Sequence, residues 1–327
     1  MNATLGKVAE RAGVARDTAR KVLLGDPSVR PYIKEAVQKA IKELDYQPNQ
    51  VARALRSKSL RLVPISVHAL DEYYFGNLAW HLSKNLVQRG MEPALCFDSE
   101  HLLRMSRSFS TSGSIRVGWI DEENLCQLRR QQPVVTINSH SPAAKGAGNV
   151  GIDFASAYCR LTRAALAQGR RRFAIVSAHY LRCLQKGWEE EKFSHVFNML
   201  DGNGLGMSGA SDRCVFETAA ELGVWIDAHP AGCVDAVFCE NDLNAAQVSM
   251  ELAARGLRLP EDVLVAGCDA NCRVRGAWSV RLDTEFLAAS AVELLCRLID
   301  GEASTGCPAY TPDVIDENGI IVPEPVA

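Results

Sequence analysis

The stretch GVARDTARKVLLG, residues 13 to 25, sets Arg16, Asp17, Arg20 and Lys21 among small and aliphatic residues. Guanidinium and ammonium groups at this spacing can neutralise phosphates and donate to the acceptors of base edges. A carboxylate such as Asp17 cannot serve those acceptors and faces phosphates unfavourably; it can accept from cytosine N4 or orient Arg16 or Lys21. Other patterns carry weaker chemistry. GLGMSG, Gly204 to Gly209, satisfies a dinucleotide fingerprint in spacing, but it follows EEEKFSHVFNML, a helical pattern, where the fingerprint needs a strand. Cys268 and Cys272 are separated by three residues, with no second pair at metal-ligand spacing, so no metal site is expected. The seven histidines fall into no pattern that joins a nucleophile to a base. No catalytic constellation, and so no enzyme or cofactor, is expected.

The cationic side chains need a helix to present them. At 100° per residue, Arg16, Asp17, Arg20, Lys21 and Leu24 fall on one arc, and Thr18, Ala19, Val22 and Leu23 on the other. Upstream, LGKVAERAGV places Leu5, Val8, Ala9 and Ala12 at helical spacing before a turn at Gly13, which makes a helix, a short turn and a second helix. Downstream, RPYIKEAVQKAIKELDY puts Pro31 at a first helical position and gives a stripe of Ile33, Ala36, Val37, Ala40, Ile41 and Leu44. Three helices make a minimal core. Charge agrees: residues 1–61 hold 13 Lys and Arg against 6 Asp and Glu, so a head of net +7 precedes a body of net −10. That asymmetry fits a head that binds a polyanion.

The segment PNQVARALRS that follows is far shorter than the ~12–15 residues that make an isolated helix even marginal in water. It needs something to hold it. Leu55, between Arg53 and Arg56, has the form of an apolar wedge flanked by phosphate partners, or of a side chain packed on the body.

After residue 61 the pattern changes. RLVPISV, PVVTIN, RRFAIVSA, DAVFCE and DVLVAGCD read as strands, alternating with helical NLAWHLSKNLVQRG, AYCRLTRAALAQG and LNAAQVSMELAARG. Such alternation implies parallel sheets covered by helices, with ligands beyond the carboxyl ends of the strands. Asp153, Asn241, Asp242 and Asp269 lie at such ends. Carboxylate and amide groups bind vicinal hydroxyls, and Phe75, Trp188 and Trp278 are candidate stacking surfaces.

The chain has 327 residues, 47% hydrophobic, which is enough for more than one core. No apolar run approaches the ~20 residues of a membrane span, and Lys7 and Glu10 stand where a signal peptide would be apolar. Eleven cysteines, all beyond residue 95 and without a tight framework, fit reduced thiols. A cytoplasmic protein is expected.

TLGKVAERAGVARDTARKVLLG with AIKELDYQPNQVARALRSKSLRLV resembles the lactose-repressor (LacI) family of bacterial transcription regulators, in order and spacing across the whole head. AVFCENDLNAAQVSMELAARGLRLPEDVLVAGCDAN and LDTEFLAASAVELLCRLIDG extend the resemblance into the body, while residues 96–120 diverge. The resemblance implies a helix-turn-helix DNA-binding domain at 1–46, a hinge helix and linker at 47–60, and a two-lobed, periplasmic-binding-protein-like body at 61–327. It implies a homodimer that represses transcription at a near-palindromic double-stranded operator, under control of a small molecule such as a sugar or sugar phosphate. By position it gives DNA contacts to Thr4, Ala15, Arg16, Asp17, Thr18, Arg20, Lys21, Asn49, Ala52, Arg53, Leu55 and Arg56. It gives effector contacts to Asn241 and Asp269 and matches Asp153 to a pocket aspartate, with Phe75 and Trp188 beside them as the candidate stacking surfaces. Two departures stand out. Ala15 takes the place of a capping serine, and Leu184 takes the place of the effector arginine, with Arg182 nearby but out of register. A periplasmic binding protein would share the body but not the basic head, and an enzyme with such a head would need a catalytic set.

Overall fold

The computed structural model describes residues 4–23, 25–46, 61–139, 148–186, 190, 192–205, 214–270, 274–302 and 308–324, which divide between two compact units, 1–61 and 62–327. The expected hinge segment, with Asn49, Ala52, Arg53, Leu55 and Arg56, lies outside the described residues, as do Trp188, Cys272 and residues 206–213.

The first unit is three helices, α1 (Leu5–Arg11), α2 (Arg16–Leu23) and α3 (Pro31–Glu43). Val8, Ala9, Ala19, Val37 and Ala40 are buried together, with Val14, Val22 and Ile33 packed around them. The turn between α1 and α2 follows from Gly13, whose φ of +65° only glycine takes at little cost. It lets the Val14 amide donate to Ala9 O and the Gly13 amide to Glu10 O, closing the end of α1 and turning Val14 into the core. Arg11 and Glu43, 2.7 Å apart, tie α1 to α3.

The second unit is built on two sheets. The first lobe has β1 (Leu62–Ser66), β2 (Glu92–Cys96), β3 (Ser114–Val117), β4 (Val134–Ile137) and β5 (Asn149–Val150), all parallel, in the order β2-β1-β3-β4-β5. Pro64 is tolerated inside this sheet because β3 pairs with β1 only from Ile65 onward. The second lobe has β6 (Phe173–Val176), β7 (Val215–Phe216), β8 (Ala236–Cys239), β9 (Leu264–Asp269), β10 (Ala277–Arg281) and β11 (Asp313–Ile315), in the order β11-β10-β9-β8-β6-β7. Its strands are parallel except β11, an antiparallel edge that strand-helix alternation did not announce. Strands β3, β4, β6 and β8 are buried at every position, as expected of parallel strands covered on both faces.

The two sheets share one winding. In each, the chain starts at a central strand, steps to one side, then crosses to the other, so the order reverses between β1 and β3 in the first lobe and between β6 and β8 in the second. In folds of this kind the reversal point opens a crevice at the carboxyl ends of the strands.

Helices α4 (Tyr73–Gln88), α5 (Ser99–Ser108) and α6 (Glu122–Arg129) cover the first sheet; α7 (Phe154–Ala167), α8 (Ala178–Lys186), α9 (Phe193–Gly202), α10 (Ala219–Asp227) and α11 (Asp242–Ala254) belong to the second lobe. Helix α12 (Thr284–Ile299) returns to the first, burying Leu287, Ala291, Val292 and Leu295 against α4 and β4. The chain therefore crosses between lobes three times, and Tyr310 touches every crossing. Its amide donates to Gly151 O and its carbonyl accepts from Asp153 N, while its hydroxyl donates to Arg281 O at 3.2 Å and accepts from Asp283 N at 3.1 Å. Among the described residues no helix is long and apolar enough to cross a membrane.

Tyr310→Phe keeps the ring and removes both hydroxyl bonds. It is expected to lower the stability of the body by about 1–2 kcal/mol, read as an earlier urea midpoint; an unchanged midpoint would show that the hydroxyl does not join the crossings.

Candidate functional site

On the first unit, Arg16, Asp17, Arg20 and Lys21 are all exposed on α2, opposite the fully buried Ala19. Asp17 lies 3.7 Å from Arg20, so its neighbour is Arg20 and not Arg16 or Lys21. Thr18 is half-buried. Thr4 caps α1, its hydroxyl accepting from the Lys7 amide. Ala15 precedes α2 with no side-chain acceptor to offer, and its carbonyl accepts from Ala19 N. The result is a short helix with a cationic outer face and an uncapped amino end.

In the body, the carboxyl ends of the central strands of both lobes carry polar side chains. Asp269 ends β9 in left-handed backbone, φ +96°, and Ala270 follows at φ +53°. Such backbone is costly for residues with a Cβ and clusters at functional sites. It is held here because the Ala270 amide donates to Ser279 Oγ, which donates in turn to the buried Asp242 carboxylate. A Cβ at Gly267 would collide with Asp242, so glycine lets the start of α11 lie directly on β9. That placement sets Asn241 beside the end of the sheet.

The sequence missed the cation in this region. Lys192, just before α9, donates from Nζ to Glu240 O at 3.1 Å and to Cys268 Sγ at 3.7 Å, and lies 4.9 Å over the Phe154 ring. Glu190 fixes it there, accepting from the Lys192 amide at 3.1 Å and the Phe193 amide at 2.7 Å. Burial pulls the ammonium pKa down, but Cys268, Asp269, Glu240 and Glu190 outweigh that and hold it above the ordinary lysine value. Burial pushes the Asp269 carboxyl up in spite of Lys192. Both residues keep intermediate solvent exposure, so they sit deep in a cleft and not in sealed core. Glu72, at the start of α4 in the other lobe, has its carboxyl raised first by burial and then by Glu240 and Asp269. Tyr74 points a buried hydroxyl without a hydrogen-bond partner among the described residues, the buried Tyr158 hydroxyl lies against Cys268, and Asp269 and Cys268 lie within electrostatic reach of both tyrosines.

The remaining expected residues divide. Phe75 is half-buried, its ring 5.8 Å from that of His68. Asp153 caps α7, accepting from Ser156 N, and Asn241 caps α11, accepting from Asn244 N, so one oxygen of each is spent on the helix it starts. Arg182 is exposed on α8 and lies within electrostatic reach of His68 in the other lobe. Trp278 is no stacking surface: it is 5% exposed, with its indole N–H on Glu317 at 2.8 Å. Two cavities lie elsewhere, one of about 130 Å³ beside Trp278 and one of about 490 Å³ at the opposite ends of β6, β8 and β9; neither takes in Asn241, Asp269 or Phe75. Among the described residues no group of three His, Cys, Asp or Glu side chains could hold a metal ion.

Lys192→Met leaves Asp269 enclosed without its cation. A carboxyl raised in the fold loses stability as pH climbs through its folded pKa, so the deficit grows on ionisation. The variant is expected to be roughly 1–3 kcal/mol less stable than the parent at about pH 8, short of the ~3–5 kcal/mol of a fully buried pair because both groups keep some exposure. The gap should narrow towards about pH 5; urea midpoints at the two pH values check it, and a pH-independent gap would contradict the pairing. In the head, Ala15→Ser supplies the missing cap and should slow amide exchange in α2 by an amount equivalent to about 1 kcal/mol; no change would show that α2 gains nothing from an acceptor there.

Comparison with known proteins matches both units. Residues 4–49 match the bacterial regulatory proteins of the lacI family, and residues 162–326 match the periplasmic binding protein-like domain. Catabolite control protein A of Staphylococcus aureus is 26% identical over 283 residues, covering 81% of this chain and 82% of its own. The HTH-type transcriptional regulator GntR of Pseudomonas aeruginosa is 27% identical over 312 residues, covering 91% and 90%. The solved Lac repressor dimer bound to operator and the anti-inducer ONPF superposes with a TM-score of 0.76 at 18% identity, over 98% of this chain and all of its own, a likeness of fold. With a lacI-type head and a periplasmic-binding-protein-like body in this order on one chain, the protein belongs to the lacI family of bacterial regulatory proteins, which are DNA-binding transcriptional regulators and not enzymes.

Proposed function

We propose that the protein is a cytoplasmic, homodimeric repressor that reads a near-palindromic operator through α2 and releases or holds it according to a small molecule in the cleft between its lobes. The observation that carries this is the outer face of α2, where Arg16, Arg20 and Lys21 are exposed on a helix whose other face is core. A helix so placed can enter a major groove, where arginine and lysine donate to guanine acceptors. Thr4, Ala15, Asp17 and Thr18 lie on or beside this surface. The domain bounds are 1–46 for the head, 47–60 for a hinge that DNA and a second copy would hold, and 61–327 for the body. Asn49, Ala52, Arg53, Leu55 and Arg56 belong to that hinge, with Leu55 as the wedge.

A second copy has apolar surface to cover. Tyr73, Trp80 and Val87 recur every seven residues along α4, exposed at 66%, 66% and 57%, and Leu95 on the edge strand β2 and Phe97 just past it are exposed as well. On the second lobe Leu243 and Met250 repeat the spacing on α11. Exposed apolar stripes of this length mark interaction surfaces, and the Lac repressor shares the fold as a dimer on its operator. Phe75, Asp153, Trp188, Arg182, Asn241 and Asp269 are the proposed effector contacts, joined now by Lys192 and Glu240. The described cysteines are all free thiols, in keeping with a reducing compartment.

Selection from a randomised duplex pool with the full-length protein tests this reading. A near-palindromic site should be enriched, and its affinity should fall steeply with salt. Arg16→Ala should cost about 1–3 kcal/mol and relax preference at one position of each half-site. Leu55→Ala should weaken binding without changing the preferred sequence. No enrichment at any salt would overturn the proposal.

A further inference from the structure

One side chain on the outer face of α2 opposes the binding that the face supports. Asp17 is the only acid in the helix, and it lies in the first turn with its side chain 86% exposed. Other acids of the head are engaged within it: Asp26 accepts from Ser28 N at 2.8 Å and Ser28 Oγ at 2.6 Å in the turn after α2, and Glu43 pairs with Arg11 at 2.7 Å. Asp17 instead faces outward among Arg16, Arg20 and Lys21, all of them exposed. The first residues of a recognition helix are those that reach base edges, so this carboxylate approaches DNA ahead of Arg20 and Lys21, into the field of the phosphates. A first-turn acid also suits the positive end of a helix. That need would be met as well at position 15, directly before the helix, where the chain has the exposed Ala15.

The neighbour of Asp17 and the chemistry of the bases narrow what it can do there. Arg20, one turn on, sets its Nε 3.7 Å from Asp17 Oδ1. The contact offsets the charge of the carboxylate and, being made through Nε, leaves the terminal nitrogens of the guanidinium for a phosphate. A carboxylate only accepts hydrogen bonds. Guanine presents N7 and O6, and thymine presents O4 and a methyl group, so both repel it; adenine sets the N6 donor beside the N7 acceptor, so one oxygen gains where the other loses. Cytosine presents the N4 donor with no acceptor on its own edge. It is the one base whose major-groove edge suits Asp17 without a penalty.

We propose that Asp17 selects a cytosine in each half-site, its carboxylate accepting from the N4 amino group, and that Arg20 is its positioning residue, holding the carboxylate and screening it from the flanking phosphates. The inference rests on the reading of α2 as the helix that enters the major groove, and it names one base of the site that helix reads. Selection works by exclusion as much as by attraction: each of the three other bases sets an acceptor against the carboxylate, where a neutral side chain would tolerate it. Arg16 and Lys21 remain for guanine acceptors and phosphates.

The test is operator selection with the full-length parent, Asp17→Ala, Asp17→Asn, Arg20→Met and Arg20→Lys. The parent should enrich one cytosine per half-site, with a preference over the other bases on the order of tenfold. Asp17→Ala should flatten that column alone, and Asp17→Asn should turn it towards adenine, whose N6 and N7 an amide matches; the unchanged columns show that the head is still folded. Arg20→Met should weaken binding and lower the cytosine preference, and Arg20→Lys should restore the preference; a residue that only held the helix or touched a phosphate would lower affinity and leave the column as it was. Replacing that cytosine in the enriched duplex by 2-pyrimidinone, which lacks the N4 amino group, should weaken the parent roughly tenfold and Asp17→Ala little. A column unchanged in Asp17→Ala, or parent binding indifferent to loss of the amino group, would overturn the inference and leave Asp17 a helix-end acid. A cytosine preference intact in Arg20→Met overturns the role of Arg20. An enriched operator without such a column refutes only this assignment, whereas no enrichment at any salt refutes the reading of α2 and the assignment with it.

Discussion

Three chain crossings within reach of one tyrosine constrain the whole body. Residues 151–153, 281–283 and 309–312 pass between the lobes, and Tyr310 bonds to all of them through amide, carbonyl and hydroxyl. The Phe286 ring, 5.4 Å from that of Tyr310, braces it from α12. A bundle of three short connections resists shear and twisting far more than bending, so the soft motion left to the lobes is a change of angle about the crossings. The strand ends that carry the polar groups lie on both sides of that hinge. The same constraint explains why a helix late in the chain, α12, completes the core of the first lobe: the return crossing lets each sheet borrow from both halves of the sequence, and one apolar cluster runs through both lobes.

Electrostatics inside the second lobe depends on Lys192. Asp269 stands in left-handed backbone that costs ~1–3 kcal/mol for a residue with a side chain, and its ionised form is disfavoured by burial. Two structures offset this. The Asp242–Ser279–Ala270 chain of hydrogen bonds fixes the turn after β9, and the Lys192 ammonium, held by Glu240 O and Cys268 Sγ, supplies the counter-charge. The Phe154 ring beneath it adds an attraction that survives where water is scarce. Leu184, on α8, is exposed.

The head and the central strands were legible because their signals are local. The stripes of α1, α2 and α3 bury the residues their spacing selects, and runs such as PVVTIN and DAVFCE are too apolar to be anything but strands covered on two faces. β2 was not legible: Glu92 and Pro93 in EPALC break its apolar pattern, and its edge position leaves Leu95 exposed. β5 and β7 are two residues each, below what periodicity can show. In the cleft, strand-end polar residues marked the right end of the sheet but not the partners. Asn241 and Asp153 also cap helices, since a helix that starts after a strand needs an acceptor at that place. Lys192 carried no motif; it meets Glu240, Cys268 and Phe154 only through the packing of distant segments.

The hinge between the lobes has a mechanical consequence for a regulator. A ligand shifts an equilibrium between lobe angles only by the difference in its affinity for the two, so it must touch groups that one angle brings together and the other separates. His68 belongs to the first lobe, and His179 and Arg182 to the second. A coupling in the ~1–3 kcal/mol range usual for allosteric proteins needs no more than one well-placed charge-assisted hydrogen bond from each lobe.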